Sequence, residues 1–345
     1  MNRNALLASL WCALFLIVTN TVCFAAQHAS VFVYHRFGDS RYPSTNIELP
    51  VFAQQLEYLK QNNYAVLPLG EIIGRLRAGQ ELPEKCVALT VDDGYLTFLT
   101  GALPLLKQYD FTATLFVNTD SVGGNSYLTW QQLRQLQQEG IEIGNHSASH
   151  PYFVSNEVVE PLLWHDQSIA DISKAQKAFL THLQEKPQLF AYPYGEYSPQ
   201  LEQLIETLGF TGAVAQQSGA LTGDLSFYSL PRFPMGGAFA TFVGFKNKLA
   251  MRPMPVVVQQ PSSPIIQEQN PPVLTFEMQS SDINLNSLRC YVQGQEPVGV
   301  EKIADGLFRV VAKQPLAGRR NKYTLTAQSL DGRSWYWFSQ LWVKP

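Results

Sequence analysis

Charge is scarce in this chain of 345 residues: Asp, Glu, Lys and Arg together make up 15% of it, against roughly 25% in average soluble domains. The net charge is −3, with no run of like charges. That excludes a basic face for nucleic acid and a charged, disordered tail. Cysteine is equally thin. Of the four present, Cys12 and Cys23 lie within residues 1–25, leaving Cys86 and Cys290 far apart in sequence. The count excludes a disulfide scaffold, and the remaining pair reads as two buried thiols. Six histidines are present, and none follows His182. No segment past the N-terminal region is apolar enough to span a bilayer, and no repeat of 20–50 residues recurs.

What is present begins with a processing segment. Arg3 precedes an apolar stretch from Ala5 to Val18, and small residues at Cys23 and Ala25 fit signal cleavage after Ala25. An uncleaved anchor helix is the alternative. With residues 1–25 removed, the chain is expected in the periplasm or outside the cell, with no transmembrane segment. The 15 Tyr, 20 Phe and 6 Trp suit an uncharged, ring-shaped ligand, or simply an aromatic core.

The length predicts two domains. Short runs rich in β-branched and aromatic residues occur at Val31–Tyr34, Val87–Val91, Thr112–Val117, Ile141–Gly144, Leu189–Tyr192 and Thr211–Ala215. Buried parallel strands read this way. Amphipathic stretches lie between them, marked by Phe52, Leu56 and Leu59, by Ile169, Ile172 and Phe179, and by Leu201, Leu204, Ile205 and Leu208. Thr129 with Gln132 forms a capping signal. This βα alternation predicts a parallel sheet, open or closed into a barrel, with sites after the C-terminal strand ends. The pattern stops near Ala240. Six prolines from Pro253 through Pro272 predict a linker over 251–272. Beyond it, Val273–Phe276, Leu307–Val311, Tyr323–Ala327 and Trp335–Trp342 alternate with Asp305-Gly306, Gly318 and Asp331-Gly332, predicting a small all-β sandwich of immunoglobulin type over 273–345.

Three polar segments follow predicted strands. Asp92-Asp93-Gly94 sets two carboxylates side by side, an arrangement that needs a metal or a cation unless it is only a turn. His146-Ser147-Ala148-Ser149-His150 offers two imidazoles from one loop, either a metal pair or two surface histidines. One carboxylate with two imidazoles and open positions is the ligand set of a hydrolytic metal site. Tyr192-Pro193-Tyr194-Gly195 is a rigid turn that could aim a backbone N–H at an oxyanion, or a plain βα connection.

In this order the three segments resemble carbohydrate esterase family 4, the polysaccharide deacetylases with the NodB-homology domain. The resemblance covers roughly residues 30–235. It implies a distorted, incomplete (β/α) barrel occupying 26–250, and removal of acetyl groups from polysaccharides. It implies Asp92 as general base, Asp93, His146 and His150 as ligands of a divalent metal, and the Tyr194 backbone N–H as an oxyanion donor. Zinc is the first choice, and Co2+ or Ni2+ would fit the same ligands. Two features depart from the family. Ala191 stands where it usually has an Arg that orients the catalytic Asp, and the C-terminal Leu-x-His motif is absent. Tyr34-His35 at the end of the first run resembles the poly-β-1,6-N-acetylglucosamine deacetylases, a branch with permuted motifs. That resemblance implies His35 as general acid and Arg232, in Leu230-Pro231-Arg232-Phe233, as the partner of Asp92. Arg36 and Arg41 are rivals for the second role. His165 and His182 read as surface residues.

The expected reaction is therefore metal-dependent N-deacetylation of an amino-sugar polymer. An O-acetyl esterase and a binding protein with a degenerate catalytic domain are the rival readings. The run Trp335-Tyr336-Trp337 could stack on sugars or divide between core and surface, and the C-terminal domain could dock a cell-envelope partner.

Overall fold

The computed structural model describes residues 28–278 and 281–345. The expected signal segment and its cleavage point at Ala25 lie outside the described residues. Among the described residues no helix is long and apolar enough to cross a membrane.

The chain opens with strand β1 (His28–Tyr34), followed by the short pair β2 (Arg36–Phe37) and β3 (Asn46–Ile47). Helix α1 (Leu49–Gln61), β4 (Ala65–Val66), α2 (Leu69–Arg77), β5 (Cys86–Val91), α3 (Leu103–Tyr109) and β6 (Thr114–Val117) come next. Then follow α4 (Trp130–Gln138), β7 (Glu142–Asn145), α5 (Phe153–Val159), α6 (Pro161–Leu183) and β8 (Leu189–Ala191). Helix α7 (Pro199–Thr207), β9 (Gly212–Val214), β10 (Ala220–Thr222), β11 (Phe233–Pro234) and α8 (Phe242–Leu249) complete the α/β part. All six predicted runs form strands. Most of their residues are buried on both faces, as in β5, where every residue is buried. Thr129 and Gln132 form the reciprocal capping box at the start of α4.

The sheet runs β10-β1-β5-β6-β7-β8-β9, with β11 on β1 and β4 on β5. Every pairing is parallel except β10 with β1. The sheet curls. Leu230 bridges Val214 of β9, while Phe233 pairs with Phe32 of β1, so one short segment joins the two edges of the curl. Side chains alternate across it. Val31, Ala88, Phe116, Ala191 and Val214 form an inner cluster with Leu69, Ile72 and Ile73 of α2. Phe32, Leu89 and Leu115 face outward, onto a second cluster that includes Leu56, Leu133 and Phe179 from the helices.

The C-terminal part is all β. One sheet is ordered β12-β20-β19-β15-β16, from Met251–Pro253, Trp335–Val343, Arg320–Gln328, Arg289–Val292 and Val298–Gly299. The other is β13-β14-β18-β17, from Val256–Gln260, Val273–Met278, Leu307–Val311 and Glu301–Ala304. Both contribute to a single core containing Phe276, Phe308, Tyr323 and Trp342. The stretch expected as a linker differs: residues 251–253 pair with β20 and 256–260 with β14. The β-branched run Val256-Val257-Val258 supplies strand propensity that the prolines around it masked. Cys86 and Cys290 are buried free thiols.

The β part is docked on the barrel. Trp337 donates its indole N–H to the Ser218 carbonyl at 3.0 Å, and its ring stands edge-on to Phe233, 5.9 Å between centroids. It is therefore a strut between the two parts, while Trp335 is 39% exposed.

Gly144 tests the inner packing. A Cβ there would stand 2.2 Å from the buried Phe116 ring. Gly144→Ala is expected to lower the unfolding free energy by about 1–3 kcal/mol, as overpacking does, measured by urea denaturation.

Candidate active site

The alternation that separates inner from outer core residues also selects the polar residues at the strand ends. Continuing the inner face of β5 past Ala88 gives Thr90 and Asp92. Continuing β1 past Val33 gives His35. Past Gly144 on β7 comes His146, and Arg232 follows Leu230. Four segments distant in sequence thus aim polar side chains at one end of the curl, the C-terminal end of the strands.

Asp92 and Arg232 are both fully buried and form a bidentate pair, Nη1 to Oδ1 at 2.7 Å and Nη2 to Oδ2 at 2.8 Å. The guanidinium also donates from Nε to the Ala215 carbonyl at 2.9 Å and from Nη1 to Thr90 Oγ1 at 3.1 Å. Thr90 in turn donates to the Phe32 carbonyl at 2.8 Å. Burial pushes the Asp92 carboxyl upward, but the charges of Arg232 and His146 outweigh it and hold the group below its usual range. The rival arginines have other partners. Arg36 is packed between the rings of Tyr42 (3.8 Å) and Tyr95 (3.4 Å), and Arg41 is paired with Asp39 at 2.8 Å.

Asp93 leaves the strand in a left-handed conformation, φ 76, followed by Gly94 at φ 71. This turn carries its carboxylate away from Asp92 toward the histidine loop. Its Oδ1 stands 3.4 Å from Nε2 of both His146 and His150, and those two nitrogens are 3.2 Å apart. Donor atoms about 3.3 Å apart are spaced as corners of a tetrahedron around an ion roughly 2.0 Å from each. The His146 Nδ1, 2.7 Å from the Ala191 carbonyl, is placed to donate there, which leaves the Nε2 lone pair facing the other two ligands. Two imidazole nitrogens this close cannot both hold protons. Burial and the neighbouring His146 push His150 down to about 4. His146 is also depressed by burial, but the Asp93 hydrogen bond and both carboxylates raise it on balance. The donor set therefore fits a divalent cation.

The loop carrying the histidines is held from outside. Asp171 on α6 accepts the Ala148 N–H at 2.8 Å, the Ser149 N–H at 3.1 Å and the Ser149 hydroxyl at 2.6 Å. Ser147 and His150 are themselves left-handed, at φ 67 and 56. Asp171 is not apparent in sequence, where it is one acidic residue bordering the apolar stripe of a helix.

His35 is half-buried just after β1, in the inward register of Val31 and Val33 on that strand. Tyr194 lies in a tight turn at φ 60, its ring 4.4 Å from that of His150. The Gly195 N–H bonds back to the Tyr192 carbonyl at 2.8 Å and the Glu196 N–H to Pro193 at 3.3 Å, while the Tyr194 N–H between them finds no acceptor among the described residues. A Cβ on Gly195 would fall 2.4 Å from Gln216 Cβ, so only glycine fits there. Of the remaining histidines, His165 is exposed, whereas His182 is half-buried against Trp130, 4.4 Å between ring centroids. A cavity of about 590 Å³ lies at the opposite end of the strands, lined by residues such as Gly70 and Gln188. None of the residues around Asp92 lines it.

Comparison with known proteins bears on this geometry. Residues 79–213 match the family model described as polysaccharide deacetylase, a span that contains Asp92, Asp93, His146, His150 and Tyr194 and leaves His35 and Arg232 outside. A protein of Bacillus subtilis (strain 168) assigned to the polysaccharide deacetylases is 27% identical over 218 residues, 62% of this chain and 75% of that one. A poly-beta-1,6-N-acetyl-D-glucosamine N-deacetylase of Escherichia coli (strain K12) is 24% identical over 230 residues, covering 56% of this chain and 34%, about a third, of that protein. The solved structure of IcaB from Ammonifex degensii is similar with a TM-score of 0.56 and 26% identity, over 64% of this chain and 96% of that one.

The Asp92–Arg232 pair carries a stability signature. Because the folded-state pKa of Asp92 is depressed, the pair's stabilisation is present above the unfolded value near 3.9 and is lost as pH falls through the folded one. Arg232→Met leaves a buried carboxylate without a counter-charge. It is expected to cost about 3–5 kcal/mol at neutral pH, and the deficit should shrink in acid as Asp92 gains a proton. Urea melts of both proteins across pH measure this, and a deficit that grows in acid would contradict it.

Proposed function

We propose that this chain, a member of the polysaccharide deacetylase family, hydrolyses N-acetyl groups on an amino-sugar polymer of the poly-N-acetylglucosamine type, releasing acetate. The observation that carries the reading is a carboxylate held ionised by Arg232 beside three ligand atoms at tetrahedral spacing. The name of the Escherichia coli relative supports the choice of polymer.

Asp93, His146 and His150 would hold a divalent ion, zinc by preference. When bound, such an ion supplies a Lewis acid that lowers the pKa of water and polarises an acyl carbonyl. Asp92 acts as the general base. Its bidentate contact with Arg232 fixes the orientation of both oxygens and keeps the carboxylate ionised, ready to accept a proton from the attacking water. The Tyr194 N–H, with no internal acceptor, is free to donate to the oxyanion. His35 protonates the departing amine, which leaves poorly without a proton. Export through the N-terminal segment would bring the enzyme to a polymer outside the cytoplasm.

A pure binding protein has no use for a buried base with its own arginine, which favours the enzyme reading. Acetate release from poly-N-acetylglucosamine, chitin oligomers, peptidoglycan and acetylated xylan tests the substrate. The proposal expects Asp92-dependent release from the first of these, and release from xylan alone would turn it toward an O-acetyl esterase.

Three further outcomes are expected. Asp93→Ala should remove most of the zinc affinity measured by titration calorimetry. In the unaltered protein that affinity should fall as the pH drops, because protons compete for the imidazoles. His35→Ala should lower turnover on an N-acetyl substrate by about 10²–10⁴-fold while leaving zinc binding nearly intact, with a smaller loss on activated esters, whose leaving groups need no proton.

A further inference from the structure

The all-β part meets the site at its oxyanion turn. Arg319, the residue before β19, donates from Nε to Glu196 Oε1 at 2.7 Å and from Nη2 to Oε2 at 2.6 Å. Glu196 follows directly on Gly195, and its side chain is only 2% exposed. Arg320 adds a second cation 3.6 Å from the same carboxylate, and its guanidinium stands 5.2 Å from the Tyr194 ring. Arg319 also covers Tyr152 at 4.4 Å. Tyr152 stacks flat on Tyr194, with centroids 3.9 Å apart and planes 5° from parallel. Below these contacts, Val154 packs in one cluster with Leu341 and Val343 of β20.

The turn needs such a brace. Tyr194 is left-handed without being glycine, and a conformation of that kind persists only where the surroundings over-determine it. Inside the barrel the turn is held by its own two short hydrogen-bonded loops and by Gln216 against Gly195. On its other side it meets the stacked ring of Tyr152 and, from the C-terminal part, Arg319 and Arg320. A bidentate arginine–carboxylate bond fixes the angle as well as the distance, so Arg319 sets where the segment from Tyr194 to Glu196 lies relative to the metal ligands. A lysine would place a point charge there without the planar fork.

We propose that Arg319 is a positioning residue for deacetylation: by gripping Glu196 and covering Tyr152, it holds the Tyr194 amide in register with the metal site, so that the C-terminal part is a component of the active site. The proposal rests on the reading of that amide as the oxyanion donor.

The test uses the full chain with zinc and a poly-N-acetylglucosamine oligomer. Arg319→Gln and Glu196→Gln should each lower kcat by about 10–10²-fold, the effect of a small misplacement of a reacting group. KM and zinc affinity should be little changed. The double variant should be hardly worse than either single one, since both remove the same bond. Arg319→Lys, the gentler change if Arg319→Gln fails to fold, should also fall short of full kcat. Unaltered kcat in a folded Arg319 variant, strictly additive losses, or a loss that follows zinc affinity would overturn the proposal. Acetate release that does not need Asp92 would instead sink the deacetylase reading, and the proposal with it.

Discussion

Arg232 and Asp92 meet with no solvent between them, and their bidentate contact ties the segment that joins the two edges of the curl to β5 across its interior. The segment that carries Arg232 is the one that bridges β9 and then pairs with β1. Its side chain reaches across the inside of the curl to β5. A buried pair of this kind gives little net stability against an apolar alternative, but it is costly to break. It therefore acts as a register pin. If the segment slipped by one residue, the guanidinium would point outward and Asp92 would be left buried and alone.

In the proposed reaction the same pin sets the state of the base. A carboxylate buried without a cation would take up a proton and could not act as a base near neutrality. Arg232 keeps it ionised, and Thr90 and the Ala215 carbonyl keep Arg232 in place. Around this rigid centre the chain tolerates a cluster of left-handed residues at Asp93, Ser147, His150 and Tyr194. Each one bends the backbone just past a strand end, redirecting a side chain or an amide toward a common point. Such strain is paid for by the packed strands and helices beneath.

Much of this was legible in sequence because it is local. Strand runs, the Thr129 capping box, the adjacent carboxylates and the paired histidines are patterns a few residues long, and their physics is that of neighbours along the chain. The boundary at 251–260 was less legible, since proline counts suggested a linker while the valines between them pair into sheets. Trp337 shows the same limit. Its run left sugar stacking and a division between core and surface both open, and only the contact with Phe233 makes it a strut between the two parts. Asp171 and Arg319 had no signal at all. One is an acidic residue on a long helix and the other a basic residue near a turn, and only their distant partners distinguish them.

The sequence by itself determined the alternating pattern of the barrel and the all-β character of its companion. It also placed the three polar segments in an order that resembles that of the polysaccharide deacetylases, because period and spacing are properties of the chain alone. The tertiary structure decided which arginine meets Asp92, where Glu196 finds its counter-charge, and that Asp93 turns from its neighbour toward two histidines in the loop after β7. Those choices depend on curl, register and the docking of one part on the other, which are set by burial summed over the whole molecule and leave no trace in any short stretch of residues.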